Sequence, residues 1–162
     1  MLPDLLAPGL RLVVCGTAAS AKSAQVGAYY AGPGNKFWPT LAEVGLTPRR
    51  LEPAEFPLLL EYGIGLTDIA KGQAGGDADI TFTRDSAALV RSKIEANAPG
   101  VLCFNGKRAG QECFGVKTLD YGLQEARVGE TLLFVAPSTS GAASGAWDVS
   151  YWRDLAEVVR SL

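Results

Sequence analysis

Four short runs of apolar residues divide the chain and predict β-strands. They cover residues 12–15, 63–67, 101–104 and 131–135. None of these runs alternates apolar with polar residues, and such continuous runs are typical of strands buried on both faces of a parallel sheet. Three are followed by turns that contain glycine, and the fourth ends at Pro137. We therefore predict a buried, mostly parallel sheet.

Between these runs, apolar residues recur at helical spacing. The clearest case covers residues 86–96, where Leu89, Val90 and Ile94 recur near helical spacing. Residues 107–113 and 148–162 also predict helices. Alternating strands and helices predict a single domain over residues 1–162, an α/β fold built as a three-layer α/β/α sandwich with a mostly parallel central sheet.

Ligands of an open parallel sheet bind beyond the carboxyl ends of its strands, so we expect those ends to form one site. Here they are residues 16–23, 67–68, 105–107 and 137–141. The first segment offers small residues and backbone amides, and the last offers three hydroxyl groups. Backbone amides, hydroxyl groups and a lysine suit a phosphodiester, although serine and threonine equally favour helix caps.

The composition narrows the chemistry of this site. The 162 residues carry 15 Lys and Arg against 17 Asp and Glu, which argues against binding nucleic acid by bulk positive charge. Histidine is absent, so a Ser-His-Asp triad and a His-ligated metal are excluded. The cysteines Cys15, Cys103 and Cys113 lie far apart in apolar surroundings, which predicts buried free thiols. We expect neither a metal nor a cofactor.

The chain also gives an expectation for its location. No stretch approaches the roughly 18 apolar residues of a membrane span, and the N-terminal MLPDLLAPG lacks the basic region of a signal peptide. We expect a cytoplasmic protein. The binding of one small target needs no symmetry, so we take a monomer as the default state.

The most specific stretch is YYAGPGNKFW, from Tyr29 to Trp38. Two tyrosines precede a Gly-Pro-Gly turn, and an amide, a lysine and two further aromatic residues follow. A tyrosine on a loop can stack on a nucleobase, a contact worth ~1–3 kcal/mol. Phe37 and Trp38 are expected to pack beneath the loop as core residues.

Six collinear segments resemble the mismatch-specific uracil/thymine DNA glycosylase family. They are LAPGLRLVVCG, GAYYAGPGNKFWPTLAEVGLTP, YGIGLTDIA, VLCFNGK, FGVKTLDYGLQ and APSTSGAAS, and they extend over nearly the whole chain, from Leu6 onwards. The resemblance implies a uracil-DNA glycosylase-like fold. It also implies a partner, DNA containing uracil or a mismatch, from which the enzyme extrudes a pyrimidine and hydrolyses its N-glycosidic bond without a metal or cofactor.

The resemblance further implies roles for individual residues. Tyr30 falls where the family stacks an aromatic ring on the extruded base. The other residues implied to bind the base are Ala18, Lys22, Ser23 and Asn35. The residues implied to contact DNA are Lys36, Lys107, Ser138, Thr139, Ser140, Gly141, Ala142 and Ala143.

Two positions depart from the family pattern. Ala18 stands where an asparagine orients the attacking water, and Ala142 stands where a leucine or arginine fills the gap left by the base. Asp68, at a strand end, is the carboxylate best placed to replace the asparagine, because a carboxylate can activate water and stabilise a cationic sugar. Alternatively, the side chain of Asp68 caps the turn that follows the strand. Asp77, Asp79 and Asp85 are expected to be solvated or to cap helices.

Three functions remain open at this point. The first is an active glycosylase in which Asp68 is catalytic. The second is a protein that binds mismatches or abasic sites but does not catalyse a reaction, a hypothesis that follows from the loss of the asparagine. The third is an α/β protein that binds or hydrolyses small nucleotides, a reading that Ala142 and the acidic net charge favour.

Overall fold

A computed structural model describes residues 2–162 of the protein, with five strands in the order β2-β1-β3-β5-β4. The strands are β1 Leu12–Gly16, β2 Ile64–Asp68, β3 Val101–Asn105, β4 Gly122–Val128 and β5 Thr131–Ala136. Neighbouring strands are parallel except for β4, which runs antiparallel to β5 at one edge. The strands predicted at β1, β2, β3 and β5 are therefore confirmed.

Five α-helices and three 3₁₀ segments connect and cover the sheet. The helices are α1 Ala21–Val26, α2 Phe37–Glu43, α3 Arg84–Asn97, α4 Lys107–Phe114 and α5 Val149–Arg160. The 3₁₀ segments are Pro53–Tyr62, Asp77–Asp79 and Gly141–Ala146. The side chains of Thr83 and Asp148 cap α3 and α5, which sets where these two predicted helices begin.

The sheet separates two apolar clusters because successive residues of a strand face opposite sides. On one side Val14 belongs to a cluster with Phe37 of α2 and Trp152 of α5. On the other side Val13 belongs to a cluster with Ile94 of α3. The three-layer α/β/α sandwich is confirmed. So are the burial of Phe37 and Trp38 and the burial of all three cysteines as free thiols.

Strand β4 was not predicted, and its environment explains why. It lies at the edge of the sheet, most of its residues are exposed or half-buried, and its register is irregular between Leu123 and Arg127. A strand that packs little of its surface carries neither a continuous apolar run nor clean alternation. The short helices α1 and α2 escaped prediction because helical periodicity needs more than two turns to show. The segment Pro53–Tyr62 escaped it because a 3₁₀ helix repeats every three residues and does not give the 3.6-residue pattern of an α-helix.

The segment before β1 crosses the outer edge of β2. The amide and carbonyl of Leu5 pair with those of Leu66 at 2.9 and 2.8 Å. A Cβ on Gly65 would lie 2.5 Å from the Leu5 carbonyl oxygen, so this close approach requires glycine. The pairing fixes the position of Asp4 next to β2. Within residues 2–162, no helix has the length and apolar character needed to cross a membrane.

Candidate active site

A cavity of about 700 Å³ opens at the carboxyl ends of β1, β2, β3 and β5. Its size falls within the ~300–1,000 Å³ typical of ligand pockets. All four strand-end segments predicted to converge contribute to its walls, so that expectation is confirmed. The turn after α1 and the glycine-rich segment 75–79 complete the walls.

Most of the residues singled out from the sequence line this cavity. They are Ala18, Ser23, Tyr30, Asn35, Asp68, Lys107, Ser138, Thr139, Ser140, Ala142 and Ala143. Lys22, Lys36 and Gly141 are not among the lining residues. Lys22 is exposed on α1, whose buried residue is Ser23, so the Lys22 side chain does not form part of the wall.

Asp68 ends β2 inside the cavity and is only 4% exposed. Burial raises the pKa of this carboxyl, and Lys71, with Nζ 3.7 Å from Asp68 Oδ2, opposes the rise. Gly16 pairs with Asp68 across the sheet, and a Cβ there would lie 2.8 Å from Asp68 Oδ1. Glycine at this position therefore leaves room for the carboxylate.

Tyr30 forms another part of the wall. Its ring stacks on Phe37 with centroids 4.1 Å apart and an interplanar angle of 29°. Because Phe37 is buried and does not line the cavity, it supports the tyrosine ring from the side away from the cavity. Tyr30 also has a φ of 52°, an uncommon conformation for a side-chain-bearing residue, and such strain concentrates at functional sites.

The hydroxyl group of Tyr30 is the one buried side-chain polar atom within residues 2–162 that lacks a hydrogen-bond partner. Burial and the nearby Asp68 raise the pKa of Tyr30 well above its usual value, and the nearby Asn105 side chain only partly opposes the rise, so the hydroxyl group stays neutral. The neighbouring Tyr29 differs, because its hydroxyl group donates to the Pro3 carbonyl at 2.9 Å and accepts from Lys71 at 2.6 Å. Sequence reasoning could not distinguish the two tyrosines in this respect.

Ser23 and Asn35 line the cavity and also brace the backbone. Ser23 Oγ accepts a hydrogen bond from the Ala31 amide at 3.0 Å. Asn35 Oδ1 accepts one from the Phe37 amide at 3.0 Å, at the start of α2. These bonds hold the turn that carries Tyr30. The geometry thus gives both side chains a role in bracing the backbone, and their predicted contact with a base remains a prediction.

Asn105 was missed as an individual site residue, although it ends a predicted strand. Its Nδ2 donates to Thr139 Oγ1 and its Oδ1 accepts from the Thr139 amide, both at 3.0 Å. The Thr139 carbonyl in turn accepts from the Lys36 amide at 2.8 Å. Asn105 and Thr139 are both buried, so this network ties the loop after β5 to the end of β3 and to the Gly-Pro-Gly turn.

We expect Asn105→Ala to lower stability and to loosen the loop after β5. The substitution leaves the buried amide and hydroxyl group of Thr139 without partners, which costs about 1–3 kcal/mol. At ~2–4 °C per kcal/mol for a chain of this size, the thermal midpoint falls measurably. Thermal unfolding checks this, with Glu125→Ala on exposed β4 as the matched control. Equal midpoints for the two variants would show that the network adds nothing to stability.

Charged groups of both signs surround the cavity. In residues 2–162, four cations lie over aromatic rings: Lys107 over Tyr121 at 4.4 Å, Arg108 over Phe82 at 4.8 Å, Lys71 over Tyr29 at 5.0 Å and Lys36 over Trp147 at 5.5 Å. Lys107 and Arg108 line the cavity directly. On the glycine-rich segment, the exposed Asp77 and Asp79 also line it, and Asp77 accepts a hydrogen bond from Thr17 at 2.8 Å. Their expected solvation holds, but their place at the cavity was not anticipated.

Comparison with known proteins agrees with this arrangement. Residues 3–156 match the uracil DNA glycosylase superfamily. The structure is also similar to the solution NMR structure of a "putative Uracil DNA glycosylase" from Methanosarcina acetivorans, with a TM-score of 0.61 and 20% sequence identity. That similarity covers 98% of this chain and 96% of the other, and it supports the fold. Because the family match covers nearly the whole chain, the protein belongs to the uracil DNA glycosylase superfamily and has the fold of a DNA glycosylase.

Proposed function

We propose that this protein is a monofunctional glycosylase that removes uracil from DNA, with mismatched or weakly paired uracil as its best substrate. One observation carries the proposal: a buried carboxylate, Asp68, lies in a cavity that is large enough to admit a nucleobase and whose wall includes the supported ring of Tyr30. Membership of the superfamily supports DNA as the partner. The choice of uracil, and of mismatches, is our inference from the site.

Cleavage of the N-glycosidic bond is favoured by an anion near C1′ of the sugar. As the bond between C1′ and the base nitrogen breaks, its electron pair leaves with the base and positive charge develops on the sugar. A water oxygen then bonds to C1′ and gives up a proton. In this proposal the Asp68 carboxylate accepts that proton and stabilises the cationic sugar. Ala18 offers only a methyl group, so its side chain cannot hold the water.

The ring of Tyr30 supports base recognition. Phe37 fixes the ring from behind, and the turn carrying Tyr30 is braced by Ser23 and Asn35. A flat surface that is already rigid loses little conformational entropy when a base stacks on it. We infer that an extruded pyrimidine lies against this ring, close to Asp68.

The distribution of charge suggests how DNA approaches. Lys36, Lys107 and Arg108 lie near the loop after β5 or at the cavity wall, where they can meet phosphates. Asp77 and Asp79 would repel phosphates on the glycine-rich segment. We infer that the DNA backbone follows the basic side. Ser138 and Ser140 line the cavity and add hydroxyl groups there, which suit a phosphate contact without net charge. Thr139 is buried and its amide and hydroxyl group are paired with Asn105, so the DNA contact predicted for it is replaced by a structural role.

The segment Gly141–Ala146 has little volume with which to fill a gap in the base stack. It contains glycine, alanine and serine, and Ala142 is exposed beside the cavity. Flipping is therefore stabilised weakly, and uracil should leave single strands and G·U mismatches faster than stable A·U pairs.

We expect Ala142→Leu to raise the rate of excision from duplex DNA, because a larger side chain holds the vacated position for longer. Single-turnover rates on G·U and A·U duplexes check this. The control is Ala126→Leu, which adds the same volume on exposed β4. If Ala142→Leu slows both duplexes equally, the segment does not enter the base stack.

A cleavage assay tests the proposed function itself. Labelled oligonucleotides carrying G·U, A·U, G·T or single-stranded uracil are incubated with the protein and then heated in alkali. Cleavage at uracil supports the proposal. Retention on mismatched DNA without cleavage would instead support a binding protein. That alternative follows from Ala18, which cannot orient the attacking water as the family's asparagine does. The absence of both cleavage and binding would contradict a function on such DNA.

A further inference from the structure

The ammonium group of Lys71 lies between the carboxylate of Asp68 and the carboxylate of Asp4. Its Nζ lies 3.7 Å from Asp68 Oδ2 and 3.0 Å from Asp4 Oδ1. It also donates hydrogen bonds to Tyr29 Oη at 2.6 Å and to the Leu2 carbonyl at 3.1 Å. The side chain is 16% exposed, so the ammonium group is held by the protein more than by solvent.

Asp4 holds Lys71 from the other side. Its Oδ2 lies 2.6 Å from Lys93 Nζ, and its Oδ1 accepts a hydrogen bond from Thr67 Oγ1 at 2.7 Å. Although burial alone would raise the pKa of Asp4, Lys93, Thr67 and Lys71 together keep it below its usual value. The four charged groups therefore form a chain, Lys93–Asp4–Lys71–Asp68, in which cations and carboxylates alternate.

We propose that Lys71 is a positioning residue that keeps Asp68 ionised and oriented, and that Asp4 and Lys93 hold Lys71 in that place. The inference rests on the proposed catalytic function of Asp68. It adds that the carboxylate works as the end of a chain of charges anchored on the N-terminal segment and on α3.

The other titratable side chains near Asp68 do not favour its ionised form. Cys15 of β1 and the tyrosines Tyr29 and Tyr30 all have raised pKa values, chiefly because of burial, so they stay neutral near neutral pH. Asp4 is itself an anion and disfavours the charge on Asp68. Among the groups that surround Asp68 in residues 2–162, two favour its ionised form by lowering its pKa: Lys71, whose effect is the larger, and the backbone of Gly16. Lys71 is the charged one of the two.

The test compares how excision depends on pH in three variants. Lys71→Met removes the charge and keeps the length of the side chain, Lys71→Arg keeps the charge, and Lys93→Met removes a charge that touches Asp4 but not Asp68. An opposite charge at this distance moves a carboxyl pKa by about 1–3 units. Single-turnover rates on a G·U duplex are measured from acid to alkaline pH, with thermal midpoints.

We expect the acid limb of the pH–rate profile to lie at higher pH in Lys71→Met than in the wild type, by about one unit or more. At pH values between the wild-type limb and the shifted limb, the excision rate should fall about tenfold or more. Lys71→Arg should restore the limb, and Lys93→Met should leave it closer to wild type than Lys71→Met does. Equal losses at every pH, with an unmoved limb, would overturn the inference and leave Lys71 as a structural residue.

A measurement without substrate separates this inference from the proposed function. The carboxyl carbon of Asp68, assigned by NMR against Asp68→Asn, reports its ionisation directly in the wild type and in Lys71→Met. An inactive wild type with a shifted titration would overturn the function and keep the link between Lys71 and Asp68. An unshifted titration would overturn the link. If Lys71→Met does not fold, Lys71→Gln serves, because its amide can still donate hydrogen bonds.

Discussion

We expect Asp68→Asn to reduce uracil excision by about 10²–10⁴-fold, the usual contribution of a general base. The amide has nearly the same shape as the carboxylate, so the cavity and the ring of Tyr30 stay in place and DNA affinity is kept. Single-turnover rates and binding to a G·U duplex measure the two effects separately. Asp154→Asn, on the exposed side of α5, is the matched control.

The same variant should be at least as stable as the wild type at neutral pH. Burial raises the pKa of Asp68, so above that pKa the folded state carries a charge that costs free energy. Asparagine carries no such charge. The advantage of Asp68→Asn is full above the raised pKa. It declines as the pH falls toward the ~3.9 of an unfolded aspartate, where the wild-type carboxyl is protonated as well. A near-wild-type excision rate would show that Asp68 caps the turn and that the base lies elsewhere.

Tyr30→Ala should lower the excision rate by about 5–150-fold, which corresponds to the ~1–3 kcal/mol of one base-stacking contact. It should also lower the thermal midpoint, because the ring that stacks on Phe37 is lost. Tyr30→Phe keeps the ring and removes the unpaired hydroxyl group. An unpaired buried hydroxyl group costs about 1–3 kcal/mol, so this variant should melt at or above the wild-type temperature.

Tyr29→Phe is the control for this pair, because it removes a hydroxyl group that has two partners. It should melt below the wild type. Excision rates and thermal midpoints of the three variants distinguish a stacking surface from a core residue. If Tyr30→Ala loses activity only in proportion to the unfolded fraction, the ring belongs to the core and has no contact with a base.

The parts of the fold that could be predicted from sequence are those where burial alone determines the residue types. Strands β1, β3 and β5 are buried on both faces, so their apolar runs mark them directly. Strand β4 packs little of its surface and leaves no such mark. The convergence of the strand ends followed from the topology of a parallel sheet, which does not depend on the details of side-chain packing.

The location of the site could be predicted from the sequence more completely than the contacts between its side chains. Asp68 could be named because it ends a predicted strand, and Tyr30 could be named because the turn that carries it resembles the family pattern. The contact between Asp4 and Lys71 joins residues far apart in the chain, and Lys71 stands before a glycine-rich stretch that suggests a solvated loop. The pairing of Asn105 with Thr139 is likewise tertiary. No local pattern in the sequence encodes such contacts.

The pairing of Leu5 with Leu66 also bears on association between molecules. The edge of a sheet presents free amides and carbonyls to which a strand of another molecule can add, a common route to aggregation. Leu5 occupies part of that edge on β2. The opposite edge, β4, carries the exposed Glu125 and Arg127 and an irregular register, which hinder the addition of a further strand. The N-terminal segment thus protects one edge by covering it, while β4 protects the other by charge and irregularity.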